Sequence, residues 1–130
     1  MHKIIASIAL LFALSISGWA QGNSGWMNGN WQGTGRQMDD GSTWRMMLFA
    51  GGGKYQVRYP TLKCGGEWTL VSLTSRSAKF RERIKYGASN CEPRGTVVIN
   101  KLRGGRIEFK YFYPGAKKVG AYAILYKRRG

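Results

Sequence analysis

The sequence predicts an all-β fold, in which about eight strands follow one another as an antiparallel meander and close into a small barrel. Short segments of alternating apolar and polar residues succeed one another from Trp31 onwards, and turn residues separate them about every ten positions. No segment carries the period and end signals of a helix of useful length. Consecutive hairpins favour a meander, and closing it removes the exposed edges of the sheet.

Residues 1–20 have the layout of a secretory signal peptide. Lys3 precedes an apolar run that is too short to span a bilayer comfortably, and small residues occupy positions 18 and 20, just before the expected cut after Ala20. We therefore expect a periplasmic or secreted bacterial protein whose mature chain has no transmembrane helix. Residues 21–30, rich in Gly and Asn, are interpreted as a flexible leader, and residues 31–130 as a single β domain.

The first four strands are predicted from turns and alternation. "STWRMMLFA" is separated from "KYQVRYP" by three glycines, and "KYQVRYP" alternates, with Tyr55, Val57 and Tyr59 on one face. "EWTLVSL" is more evenly apolar. These strands lie near residues 31–37, 43–50, 54–60 and 66–73.

The last four strands are predicted near residues 77–86, 95–102, 106–113 and 120–128. The sixth and seventh flank Gly104-Gly105, a strong hairpin signal because both central residues of a type I′ turn need positive φ. Pro114-Gly115 begins the turn before the last strand.

The fifth predicted strand, "AKFRERIKY", has two faces of opposite character. One face carries Ala78, Phe80, Glu82, Ile84 and Tyr86. If that face is the core, the Glu82 carboxyl group must be paired or protonated. We expect an internal arginine or backbone N–H groups as its partners. The alternative is a ligand contact inside the barrel, in a site lined by Glu82, Tyr86, Phe80 and Trp68.

The opposite face of this strand carries four cations, and the whole chain is strongly basic. The mature chain has 20 Lys and Arg against 6 Asp and Glu, a net charge of +14 once Lys3 is removed. Such a charge predicts attraction to polyanions. The candidate anion-binding residues are Lys79, Arg81, Arg83, Lys85, Lys127, Arg128 and Arg129. The alternative is a solvated face that discourages edge pairing.

The residue inventory argues against catalysis. The only histidine, His2, lies in the predicted signal peptide, and the six acids are scattered along the chain. We therefore predict a protein that is not an enzyme and has no metal or cofactor. Cys64 and Cys91 form an even pair without a CxxC motif, which in an exported chain favours a disulfide.

Two patterns resemble known families. "GNW" at residues 29–31 resembles the Gly-x-Trp that opens lipocalin-type, calycin-like barrels, where a late Arg or Lys packs over the Trp; here Lys127 or Arg128 would do so. The pattern YPxLxCGG, then FxExIxYG, then Cys91, resembles a small bacterial extracytoplasmic module. That module occurs in secreted proteins and at the outer C-terminus of some actinobacterial serine/threonine kinases. The resemblance implies a disulfide-stapled β module without an established activity.

The sequence as a whole predicts an exported binding module that engages an anionic polymer or envelope surface. Lipopolysaccharide, a cell-wall polymer and extracellular nucleic acid are the candidate partners. One alternative is a calycin-like barrel that binds a small ligand inside. The other is an inhibitor of a secreted enzyme that inserts a rigid loop, residues 61–66, into the active site; because the inhibitor is so basic, its target would have to be acidic.

Overall fold

Eight antiparallel strands form a closed barrel in the computed structural model, which describes residues 22–129. The predicted signal peptide lies outside these residues. A 3₁₀ helix, Gly22–Met27, precedes the first strand, and a second, Pro60–Leu62, follows the third. The strands are β1 Gly29–Gln37, β2 Thr43–Gly51, β3 Lys54–Tyr59, β4 Cys64–Leu73, β5 Ser77–Tyr86, β6 Arg94–Lys101, β7 Arg106–Phe112 and β8 Ala121–Lys127.

The topology is the predicted meander. Each strand pairs with the next, and β1 also pairs with β8 from Trp31 opposite Lys127 to Gln37 opposite Ala121. The eight predicted strands coincide with the observed ones to within about two residues at each end. The Gly104-Gly105 hairpin is also confirmed, since these glycines have φ of 70° and 68°.

Because successive strands run in opposite directions, alternate connections lie at the same end of the barrel, and the two ends differ in the length of these connections. The lower end holds the start of β1, the end of β8 and the short turns 52–53, 74–76 and 102–105. The opposite end, which we call the mouth, is bordered by four connections, residues 38–42, 60–63, 87–93 and 113–120.

Alternating side chains fill the interior, as strand geometry requires. Every second residue is buried in β3, in β7 and in β5 as far as Ile84, and the largest fully buried side chains include Phe80, Phe109, Met46 and Leu48. Most of the aromatic residues belong to this core: Trp31, Trp44, Trp68, Tyr55, Tyr59 and Tyr111 are all buried.

Trp26 and Met27, just before β1, pack onto the barrel, so this part of the predicted leader belongs to the folded domain. Met27 is completely buried, and the Trp26 indole Nε1–H donates a hydrogen bond to the carbonyl oxygen of Thr74 at 3.1 Å. Gly29 and Asn30 already belong to β1. The apolar side chains of this segment therefore cover the lower end, and the packed domain begins before Trp31.

The first and last strands are fastened together at the lower end. The Lys127 ammonium lies over the Trp31 ring, 5.6 Å from its centroid, and the Trp31 indole donates to the carbonyl oxygen of Met27 at 2.9 Å. A cation over an indole face is attracted by the ring quadrupole. Lys127 is thus the late cation that packs over this Trp.

Cys64 and Cys91 form the predicted disulfide. It joins the start of β4 to the connection between β5 and β6, at the mouth. Within residues 22–129, no helix is both long and apolar enough to cross a membrane.

Candidate functional site

The Glu82 carboxylate is a buried acid inside the barrel, as the alternation of β5 predicts. Its residue is 5% exposed, and one oxygen, Oε2, accepts two hydrogen bonds. The donors are the Tyr59 hydroxyl and the Trp68 indole Nε1–H, the latter at 2.9 Å. Among the described residues, the other oxygen, Oε1, accepts no hydrogen bond.

The partners of Glu82 differ from those expected, which were an arginine or backbone N–H groups. Trp68 stands directly opposite Glu82 in the pairing of β4 with β5, and Tyr59 ends β3, the strand on the other side of β4. The interior therefore supplies neutral aromatic donors. These satisfy the carboxylate without neutralising its charge.

Burial changes the ionisation of this group and of its neighbours. Loss of hydration raises the pKa of Glu82 above its ordinary value of 4.5, while the hydrogen bonds from Tyr59 and Trp68 act in the opposite direction. Burial, and then the nearby Glu82 charge, raise the pKa of Tyr59 well above 10.0 and also raise that of Tyr111. Both phenols therefore remain neutral donors at physiological pH.

A cavity of about 340 Å³ opens at the mouth, and Glu82 is part of its wall. This volume lies within the range of about 300 to 1,000 Å³ usual for small-molecule sites. Its aromatic wall is formed by Trp44, Tyr59, Phe109, Tyr111 and Tyr113. The rim includes Asn90, Glu92 and the disulfide-bonded Cys91.

The aromatic wall is held by edge-to-face packing and by a hydrogen-bonded amide. The Trp44 ring lies 5.4 Å from Tyr59 and 6.0 Å from Phe109, centroid to centroid, both nearly perpendicular. The Gln37 Oε1 accepts from the Trp44 indole at 2.9 Å, and the Gln37 Nε2 donates to the Tyr113 hydroxyl at 2.6 Å. Gln37 thereby fixes two cavity-lining rings relative to each other.

Two glycines provide the space that these rings occupy. A Cβ on Gly35 would lie 2.2 Å from the Trp44 ring, and one on Gly95 would lie 2.3 Å from the Tyr111 hydroxyl. A side chain at either position would push a cavity wall out of place. The absence of a side chain at Gly35 and Gly95 therefore allows the Trp44 and Tyr111 rings to occupy their positions in the cavity wall.

The charge of the cavity is opposite to that of the protein. No Lys or Arg is among the described residues that line it, whereas two of the six acids, Glu82 and Glu92, are. Trp44, Tyr111, Gln37 and Glu92 are lining residues that sequence reasoning did not identify as a site. The alternation of "RIEFKYF" does place Tyr111 inward, but nothing local brings it together with Glu82.

Of the four residues predicted to line an interior ligand site, only Glu82 borders this cavity, although Trp68 is hydrogen-bonded to it. Phe80 is fully buried in the core. Tyr86 is 53% exposed, because a bulge breaks the register: Gly66 stands opposite Ile84 and Gly65 opposite Tyr86, so Lys85 is an extra residue. The Tyr86 ring lies against Gly65. The prediction that Tyr86 faces the interior is therefore wrong.

The four cations of β5 all lie exposed on the outer wall, and we call them the β5 stripe: Lys79, Arg81, Arg83 and Lys85. Their exposure agrees with the strand alternation. Arg94 of β6 stands opposite Arg83 and extends the positive surface sideways. An open groove of about 800 Å³ crosses this wall and is bordered by Arg81, Arg83, Lys85, Arg94 and Lys54. Only Lys85 among these makes an ion pair in the described chain, with Glu67 at 3.3 Å.

The cations at the end of the chain lie apart from the β5 stripe. Lys127 belongs to β8, three strands away round the barrel, and its ammonium is engaged with Trp31. Arg128 and Arg129 follow it at the lower end and are exposed. The seven predicted anion-binding residues thus form two separate patches.

No family model fits this chain, and no curated protein is significantly similar to it. Within residues 22–129, no three His, Cys, Asp or Glu side chains are grouped as a metal site would require.

Proposed function

We propose that this protein is an exported, non-enzymatic binding module that engages an anionic polymer of the cell envelope or extracellular space through the β5 stripe. The observation that carries the proposal is the outward row of cations on β5, continued sideways by Arg94 beside an open groove. The disulfide supports an extracytoplasmic location, because such bonds persist in oxidising compartments.

The geometry of the stripe suits a repeating ligand. Alternate residues of a strand lie about 6 to 7 Å apart along its axis, so four cations on one face follow a line of roughly 20 Å. Arg81, Arg83 and Arg94 have no acidic partner within the described chain. Their guanidinium groups present forked donors that match phosphate, sulfate and carboxylate oxygens.

The exposed Tyr86 adds a second kind of contact to this surface. Tyr86 lies next to Lys85 at the mouth end of the stripe, where its half-exposed ring offers a stacking face. Aromatic rings beside cations stack on the bases of single-stranded nucleic acids. The binding mechanism proposed is charge attraction with release of counterions, followed by aromatic and hydrogen-bond contacts.

The test is a titration of residues 21–130 with heparin over a range of salt, repeated with lipopolysaccharide and peptidoglycan. If about four phosphate-like contacts form, the affinity should fall about 100-fold between about 50 mM and about 200 mM salt. A flat salt response would contradict the proposal.

A matched pair of variants separates the stripe from net charge. The first variant reverses the β5 stripe to Glu at all four positions. The control reverses four exposed cations elsewhere on the barrel, at Arg36, Arg103, Lys117 and Lys118, and so carries the same net charge. We expect the stripe variant to lose most of its affinity and salt dependence, and the control to retain most of both. Equal losses would show that net charge alone attracts the polymer.

A further inference from the structure

The mouth cavity has the chemistry of a site for a positively charged small molecule. It combines an aromatic wall, a carboxylate that is nine-tenths buried and a volume of about 340 Å³. Proteins bind quaternary ammonium groups in aromatic cages of this kind, because the ring faces attract a cation that has lost its hydration shell.

The distribution of charge argues for a cation over an anion. Although the chain has 21 Lys and Arg, none is among the described residues that line this cavity, while Glu82 and Glu92 are. An anion entering the cavity would meet two carboxylates and no opposite charge. A cation would meet Glu82 in a low-dielectric surrounding, where attraction between opposite charges is strong.

The hydrogen bonds of Glu82 argue that the carboxylate is available to a ligand. The Tyr59 hydroxyl and the Trp68 indole both donate to Oε2. Both donors are neutral, so the negative charge has no cationic partner within the described chain. Oε1, with no hydrogen bond among the described residues, remains able to accept one. Buried charges are normally paired, and a bound cation would provide the missing partner.

We infer that the mouth cavity binds a small organic cation, an alkylated ammonium compound, with its charged nitrogen against Glu82 and its alkyl groups against the rings of Trp44, Tyr59 and Tyr111. Glu92 at the rim adds a second negative charge at the entrance. This site faces the inside of the barrel and the β5 stripe faces outside, so the inference does not depend on the proposed function.

The test compares choline with its neutral carbon analogue, 3,3-dimethyl-1-butanol, by calorimetry or NMR titration. The two molecules have nearly the same shape and differ in charge. We expect choline to bind and the neutral analogue to bind at least about tenfold more weakly. Equal binding of both, or no binding of choline at millimolar concentration, would overturn the inference.

The variant Glu82→Gln removes the charge and keeps a group able to accept hydrogen bonds from Tyr59 and Trp68. We expect it to lose at least about tenfold in choline affinity, with little change for the neutral analogue. Undiminished choline binding by a folded Glu82→Gln protein would contradict the role of the carboxylate. Near-ultraviolet circular dichroism establishes that the variant is folded.

A second measurement uses the unaltered protein and so does not depend on the folding of any variant. The indole N–H signals of Trp44 and Trp26 report on opposite ends of the barrel, since Trp44 lines the mouth cavity and Trp26 is bonded to Thr74 at the lower end. Choline should shift the Trp44 signal and leave the Trp26 signal in place. Equal shifts of both, or none at Trp44, would rule out the cavity as the site.

Discussion

At the scale of single residues, the clearest physical tension in this protein is the burial of Glu82. A carboxylate transferred into an apolar interior loses hydration that two neutral donors replace only in part. Because the cost falls on the charged form, burial raises the pKa of Glu82 above 4.5. The residue is therefore less favourable for stability when ionised than when protonated.

This tension predicts how stability should change with pH. The folded-state pKa is raised, so the folded protein binds more protons than the unfolded chain as pH rises above about 4.5, and the Glu82 contribution to stability falls over that window. In Glu82→Gln this contribution is absent. The stability of Glu82→Gln relative to the unaltered protein should thus increase with pH from about 4 upwards, as measured by thermal unfolding of both proteins.

The other titrating groups near the cavity are common to both proteins in this comparison. Tyr59 and Tyr111 have pKa values raised from 10.0, above the range of the experiment. A difference in stability that is independent of pH between about 4 and 8 would show that Glu82 titrates alike in the folded and unfolded states.

At the scale of structural elements, the disulfide links two of the segments that border the mouth. Cys64 begins β4, and Cys91 lies in the connection 87–93, which contributes Asn90 and Glu92 to the cavity rim. The bond closes a loop between residues 27 positions apart, so it restricts the unfolded chain as well as this connection.

Replacing both cysteines by alanine should lower the free energy of unfolding by about 3 kcal/mol, on the chain-entropy account of such a loop. The measurement is denaturant unfolding of the two proteins. If the replacement costs much less than about 1 kcal/mol, the connection 87–93 is held mainly by its other contacts. A choline titration of the same variant tells whether this connection also shapes the rim.

The elements themselves were predictable, and the site was predictable only in part. Strand positions follow from local alternation and from glycine turns, signals that neighbouring residues carry by themselves. The burial of Glu82 follows from the same alternation. Its partners do not, because Tyr59 and Trp68 come from other strands, and their position depends on register and barrel closure.

Tyr86 shows where local alternation fails. Its sequence position continues the buried face of β5, but the bulge between Gly65 and Gly66 gives that strand one extra residue. A bulge reverses the face that the following residue occupies. Because this bulge is defined by the pairing of β5 with β4, the sequence of β5 alone does not predict it. The cavity wall was missed for a related reason, since Trp44 and Tyr111 are distant in sequence.

At the scale of the whole molecule, the exterior of the barrel is strongly basic, whereas the mouth cavity is lined by two acids and by no Lys or Arg among the described residues. The field of the basic exterior opposes the approach of a cation, although salt screens exposed charges beyond about 8 Å at physiological ionic strength. The two proposed sites lie on opposite sides of the barrel wall and share β5. We therefore expect them to influence each other through charge.

This arrangement predicts a weak positive coupling between the two ligands. A polyanion bound to the β5 stripe neutralises part of the exterior field, so choline affinity should rise when heparin is bound. We expect a change of less than about tenfold that disappears as salt is raised. Calorimetric titration of choline with and without saturating heparin measures it, and a decrease in affinity would mean that the polymer covers the mouth instead.

The pairing of β1 with β8 also places both ends of the described chain at the lower end of the barrel. Asn30 and Arg128 are joined by a backbone hydrogen bond of 2.7 Å, so the described chain enters and leaves the barrel side by side at the lower end. The mouth, with Trp44 and Glu92, lies at the other end. An attachment through either end of the described chain would therefore leave the cavity at the far end of the barrel, with the flank that carries the cations still open to the surroundings.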